Sequence, residues 1–406
     1  PIPPMEYRTE RLQRVRFSKG VSCSESFLKG ESPLTIPAHT EAQLLLDHKH
    51  LTTGYLSLLY EKGANAEIEI RYAEALYENG NSVAKGNRDE VANKKFVGYG
   101  DKIIASGQPG CKFTPLWWRT WRYVQLNIQT HDEPLVLNDI YGTFSGYPFV
   151  RETEFSAPGH SELNKMLDIG WRTARLCANE TYMDCPYYEQ LQYFGDTRIQ
   201  AMISLYNTHD KYMVKNALEQ GRQSMIADGI TMSRYPSYIN QLISSFSLWW
   251  IGMGHDYWMY RGDEAYLKTL LPAHRNILSW YEQWLRPDYT LSHIPYWFFA
   301  DWSEGFPNGE PVREKEGNSA FQDLLYLMML DRSGEMENAF GNPDIARHYQ
   351  RIASEIRKRF KQKYWDAERG LFADTFDHHS FSQHVNSMAV IAGIVKGEET
   401  ATVMDK

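Results

Sequence analysis

The first 150 residues alternate between apolar and polar positions over short runs. The runs at 42–46, 55–60, 66–72, 102–105, 123–129 and 135–140 have the two-residue period, or the β-branched and aromatic enrichment, of strands. Turn formers separate them, as in Glu78-Asn-Gly-Asn-Ser and Gly98-Tyr-Gly-Asp. Short strands at this spacing predict a β-sandwich. A polar stretch at 151–159 ends the alternation, and the period then becomes helical. It predicts helices over 160–179, 190–207, 211–227, 239–261, 263–285, 318–340, 343–363 and 382–396. Asp210, Asp263 and Asn342-Pro343 mark starts, and Gly262 and Gly341 mark stops. Many of these helices carry wide apolar faces and must pack on one another. Antiparallel hairpins of this length form an α/α toroid or a solenoid, and no fixed-period repeat is present. The expected organisation is a β-sandwich domain at 1–150, a linker at 151–159 and a helical domain from 160 to 406.

Composition narrows the ligand. Aromatic residues make up 14% of the chain, an excess that suits stacking on flat ligands such as sugars or bases. The net charge of −8 argues against a nucleic-acid surface, so bases are disfavoured. The four cysteines at 23, 111, 177 and 185 form no CxxC pair. No apolar run is long enough to predict a membrane span, and neither a cofactor nor a metal is expected. His255 and His274 fall on helices, and His378, His379 and His384 flank a loop. They read as surface or core residues rather than ligands.

The chemistry concentrates at residues 180–196, Glu-Thr-Tyr-Met-Asp-Cys-Pro-Tyr-Tyr-Glu-Gln-Leu-Gln-Tyr-Phe-Gly-Asp. Pro186 predicts a loop entering a short helix. On that helix Glu189 and Tyr193 are four residues apart and Glu189 and Asp196 seven, so all three share a stripe. With Asp184 from the loop, three carboxylates and an aromatic would face one hollow. Polyol recognition uses such a set: acceptors for hydroxyls, a flat ring, and a carboxyl able to give a proton. Spacing alone leaves open an acidic N-terminal cap followed by ordinary helix surface. In a ring of hairpins alternate connections share a rim. That rule places residues 181–189, 228–238 and 286–317 together, the last containing Tyr296-Trp-Phe-Phe-Ala-Asp-Trp-Ser-Glu-Gly. The run Trp117-Trp-Arg-Thr-Trp-Arg-Tyr is read as a strand packed on the neighbouring domain, with a sugar platform as the alternative.

Asp184-Cys185-Pro186 with Glu189 and Asp196 resembles the signature of the glycoside hydrolase family 78 α-L-rhamnosidases. Ile243-x-x-Phe-x-Leu-Trp-Trp, Tyr296-Trp-x-Phe-x-Asp-Trp and the β segment from Phe113 to Val124 are similar to the same family's helix, loop and preceding sandwich. The resemblance implies an (α/α)6 six-hairpin barrel after the β-sandwich. It implies release of terminal α-L-rhamnose with inversion, from a rhamnose-containing glycoside, oligosaccharide or polysaccharide. It implies Glu189 as general acid, with Asp184 and Asp196 holding sugar hydroxyls and Tyr193 standing where many members carry Trp. Trp297, Asp301 and Trp302 match the substrate-lining loop. Arg234 and Tyr235 follow less directly, from the adjacent rim loop. About twelve helices would complete the barrel and roughly eight are read here. The barrel is therefore expected to be incomplete at the C-terminus, with the catalytic base beyond residue 406 and Glu304 as the in-chain stand-in. Another (α/α)6 glycosidase, a polysaccharide lyase, or a rhamnose-binding protein without a base are the alternatives.

Overall fold

A computed structural model describes residues 1–78 and 83–406; the turn expected after Glu78 lies outside the described residues. Among the described residues, the N-terminal part holds one connected antiparallel sheet of nine strands and a separate short ladder of Tyr77–Glu78 with Lys94–Lys95. The spine of the sheet is the strand Glu41–Lys62. Residues 41–54 pair with Arg119–Gln129, and residues 54–62 pair with Leu135–Gly146. The spine thus passes from one half of a sandwich to the other, and Leu44, Leu46, Leu56, Leu58, Leu126 and Ile140 meet in one core. The sequence divided this spine into two strands, because Asp47-His-Lys-His is polar. The strand continues because Asp47, fully buried, is paired with Arg16 at 2.9 Å and Arg122 at 3.1 Å. A buried carboxylate held by two guanidiniums is compatible with a strand interior.

The last strand of this sheet ends at Gly146, and the first long helix, Ser161–Leu176, follows a connection without regular secondary structure. Beyond it the helices fall into two kinds. Phe194–Asn207, Ser244–Arg261, Ala320–Phe340 and Gln383–Ile391 pack side by side in that order. Ser244–Arg261 and Ala320–Phe340 are buried nearly all round over most of their length, as inner helices must be. Tyr212–Gln223, Leu271–Glu282 and Pro343–Tyr364 alternate with them in sequence and bury one stripe. This is an inner and an outer layer of hairpins. Each inner helix is entered from an outer one, so the N-termini of the inner helices point to a common rim.

Several expected helices differ in their bounds: that expected over 239–261 begins at Ser244, and that expected over 382–396 ends at Ile391. The segment 263–285 divides into Glu264–Lys268 and Leu271–Glu282, the second restarting with Pro272 in its first turn. The segment 190–207 begins only at Phe194. A helix Glu398–Met404 and a small hairpin, Trp365–Asp366 with Leu371–Phe372, were not expected. Among the described residues no helix is long and apolar enough to cross a membrane.

Candidate active site

The late start of the Phe194–Asn207 helix changes how its carboxylates meet. Glu189 is not on a helical stripe with Tyr193 and Asp196. Residues 184–191 form a closed loop in which the Asp184 amide donates to Leu191 O at 2.8 Å and the Leu191 amide returns a bond to Asp184 Oδ1 at 3.0 Å. Gln190 turns the chain in the left-handed region, φ 56°, which a helix cannot include. Tyr193 is extended and caps the helix. The pairing expected from helical spacing still forms: the Tyr193 hydroxyl donates to Glu189 Oε2 at 2.6 Å. Arg234 Nη1 donates to that hydroxyl at 2.8 Å, and its guanidinium lies 5.3 Å from the ring centre. Arg234, Tyr193 and Glu189 therefore form a chain that fixes one carboxyl oxygen and leaves the other available.

The rim loops are laced together by backbone bonds. The Phe194 amide donates to Ser233 O at 2.9 Å, and the Ser244 amide donates to Trp297 O at 3.0 Å. These bonds tie the 181–193, 228–243 and 286–319 connections into one wall. They enclose a cleft of ≈480 Å³ lined by Asp184, Glu189, Tyr193 and Asp196 from the first connection and its helix, and by Trp297, Asp301 and Trp302 from the third. All seven residues expected at a site thus line one cleft. Arg234 acts from behind it, through Tyr193. Glu304 is exposed and is not among the residues lining the cleft.

One side of the cleft is aromatic. Tyr193 meets Phe246 edge to face at 6.3 Å between ring centres, Phe246 meets Phe299 at 5.9 Å, and Phe299 meets Trp297 at 5.3 Å and Trp302 at 5.1 Å. Gly195 lets this wall close, since a Cβ there would stand 2.5 Å from the Phe246 ring. In the sequence, Phe246 and Phe299 stand out only as parts of a longer pattern. The (i, i+3) spacing of Phe246 and Trp249 on the Ser244–Arg261 helix was the available signal, as both line the cleft. Arg198 also lines it, lying over the Trp249 ring at 5.0 Å and bonded to Asp256 at 2.7 Å. His384, read from sequence as a surface or core residue, reaches Asp301 Oδ2 at 2.9 Å from the start of the next inner helix.

The electrostatics mark the carboxylates as a group. Burial pushes the Asp196 carboxyl up to about 6, and the charges of Asp184 and Glu189 add to the effect. Asp196 lies in the first turn of its helix, where the dipole and unpaired N–H groups favour an anion, and its own backbone amide opposes part of the rise. If the chain through Tyr193 sets the orientation of Glu189, Tyr193→Phe should lower kcat about three- to tenfold, the worth of one ordinary hydrogen bond to the protonated, neutral acid. Steady-state kinetics would check this, with KM expected to change less than kcat.

A family model for the bacterial α-L-rhamnosidase six-hairpin glycosidase domain matches residues 152–406. Among solved structures, the rhamnosidase of Klebsiella oxytoca with rhamnose bound is 15% identical, with a TM-score of 0.80 over 99% of this chain and 79% of that one. A glycoside hydrolase family 78 rhamnosidase of Bacillus sp. GL1 is 21% identical, with a TM-score of 0.77 over 95% of this chain and 39% of that one. The α-L-rhamnosidase of Streptomyces avermitilis complexed with L-rhamnose is 17% identical, with a TM-score of 0.66 over 99% of this chain and 35% of its own. The chain therefore spans well under half the length of two of these relatives. No curated protein sequence matches it significantly.

Proposed function

The chain belongs to the bacterial α-L-rhamnosidase six-hairpin glycosidase family, and from that membership we propose that it hydrolyses terminal α-L-rhamnosyl bonds with inversion. The observation that carries the proposal is the single cleft in which Asp184, Glu189 and Asp196 face Trp297, Asp301 and Trp302. In this reading Glu189 gives its proton to the leaving oxygen, because it stands exposed in the rim loop with one carboxyl oxygen held by Tyr193. Asp184 and Asp196 accept hydrogen bonds from the sugar hydroxyls. The wall of Phe246, Phe299, Trp297 and Trp302 takes the apolar face of the ring and the methyl group that distinguishes rhamnose from most hexoses. His384 fixes Asp301 against that wall. Inversion also requires a carboxylate base on the opposite face of the sugar. The resemblance puts that group on a later connection of the barrel, and none of the cleft's own carboxylates is assigned the role.

The test is direct. Incubation of the full-length protein with 4-nitrophenyl α-L-rhamnoside should release rhamnose. Proton NMR of the first product should show the β anomer before mutarotation. Retention of the α configuration would overturn the mechanism. Equal turnover of α-L-arabinosides, α-D-mannosides and α-L-rhamnosides would overturn the substrate.

A further inference from the structure

We propose that a second hollow, on the far side of the Glu189 loop, binds a flat aromatic group on the leaving side of the substrate; the proposal rests on the rhamnosidase reading above. The hollow has a volume of ≈350 Å³ and lies where the sandwich meets the helical part. Tyr72, Tyr99, Trp117 and Trp118 line it from the sandwich, and Tyr187 and Tyr188 from the loop.

Its position follows from the chain. Tyr188 and Gln190 line this hollow, and Glu189 between them lines the sugar cleft. The two hollows are thus separated by the thickness of one loop. A general acid lies between the sugar and the group that departs, since its proton goes to the oxygen joining them. A leaving group that stays on the protein would extend past Glu189 toward these rings.

The loop itself is held against the sandwich. The Thr120 hydroxyl donates to Pro186 O, and Gln190 Nε2 donates to the same oxygen at 2.9 Å. The Lys85 ammonium joins the Tyr188 hydroxyl to Glu74 and lies 4.8 Å from the Tyr188 ring centre and 5.2 Å from that of Tyr187. The floor of the hollow is therefore tied to the same loop that carries the acid.

The chemistry of the occupant is set by what the hollow still offers. The Thr120 hydroxyl and Gln190 Nε2 are engaged with Pro186 O. Arg119 donates Nη2 to Asp101 at 3.0 Å while its Nε is buried without a partner, and the Tyr188 hydroxyl is held by Lys85. Ring faces predominate, since six of the nine lining residues are aromatic. A second sugar would need several directed acceptors and donors; a flat aromatic ring needs only faces and edges. Nor are all these rings required by the fold. Trp121 and Tyr123 of the same run are buried in cores, whereas Trp117 is 51% exposed and Tyr99 71%. Trp117 stacks on Trp118 at 5.7 Å and presents its other side outward. Grouped exposed aromatics mark binding surfaces more often than single ones do.

The experiment uses two readouts on the full-length protein. In the first, 7-hydroxy-4-methylcoumarin is titrated into wild type, Trp117→Ala and Tyr99→Ala by calorimetry. Wild type should bind, and each variant should bind about five- to tenfold more weakly, the worth of one aromatic stack. Unchanged binding in both variants, with thermal midpoints showing that they fold, overturns the proposal. In the second, the ratio of kcat/KM for 4-methylumbelliferyl over methyl α-L-rhamnoside is measured. It should fall five- to tenfold in Trp117→Ala, and a ratio equal to wild type overturns the proposal. If wild type turns over neither rhamnoside, the activity proposed above fails while the coumarin titration still decides the hollow.

Discussion

Glu189→Gln should lower kcat/KM for an alkyl α-L-rhamnoside by roughly a hundred- to ten-thousandfold, the contribution of a positioned general acid. The amide is close in size to the carboxylic acid and can still accept from the Tyr193 hydroxyl, which bonds Glu189 Oε2 at 2.6 Å. It has no proton to give. The loss should therefore fall on kcat, with KM changed little. It should also depend on the leaving group. An alkoxide needs its proton as the bond breaks, whereas a nitrophenolate departs readily without one. The deficit should thus shrink for 4-nitrophenyl α-L-rhamnoside and be largest for the methyl glycoside. Near-wild-type turnover of the methyl glycoside by Glu189→Gln would remove Glu189 from the acid role. An equal deficit on both substrates would show that the side chain acts in binding.

The residues at this site were legible in the sequence for a reason only partly correct. The spacing of Glu189, Tyr193 and Asp196 predicts a helical stripe. The stripe does not exist, because Gln190 reverses the chain at φ 56° and the helix starts at Phe194. The three still meet, because the closed loop from Asp184 to Leu191 folds Glu189 back over the helix start. Agreement of residues was thus more robust than agreement of local geometry. The shared rim of alternate connections is more legible, since it depends on the order of helices, which the 3.6-residue period reports well. Contacts between elements distant in sequence were not legible. Asp301 with His384, and Thr120 with Pro186, join positions 83 and 66 residues apart, and no local pattern signals them. The same applies to the strand Glu41–Lys62, whose polar middle reads as a turn until Arg16 and Arg122 are seen to neutralise Asp47. In the aromatic run at 117–123, Trp121 and Tyr123 pack into cores of the sandwich itself, Trp118 is buried and Trp117 stays open.

Asp196→Asn should make the protein more stable and less active at once. The carboxyl of Asp196 is raised from 3.8 to about 6 by burial and by the neighbouring Asp184 and Glu189. In the unfolded chain the group loses its proton near the lower value, and in the folded protein it keeps the proton until the higher one. Between them the folded state holds more protons, so stability falls as pH rises through this window and the cost is complete above about pH 6. At about 1.4 kcal/mol per unit this would be about 3 kcal/mol, and partial solvent access reduces it to about 2 kcal/mol. The neutral amide carries no such cost. Thermal melts at pH 7.5 should place Asp196→Asn roughly 4–8 °C above wild type, while melts near pH 4 should bring the two together. Glu189→Gln should give part of the same gain, since it removes one of the like charges that raise Asp196. Activity should move the other way. Losing a charged acceptor for a sugar hydroxyl costs about 1.5–3 kcal/mol, or roughly a ten- to hundredfold fall in kcat/KM. A variant less stable than wild type at pH 7.5 would mean that Asp196 is held by favourable contacts and is not strained by its neighbours. A variant more stable and fully active would take Asp196 out of substrate binding.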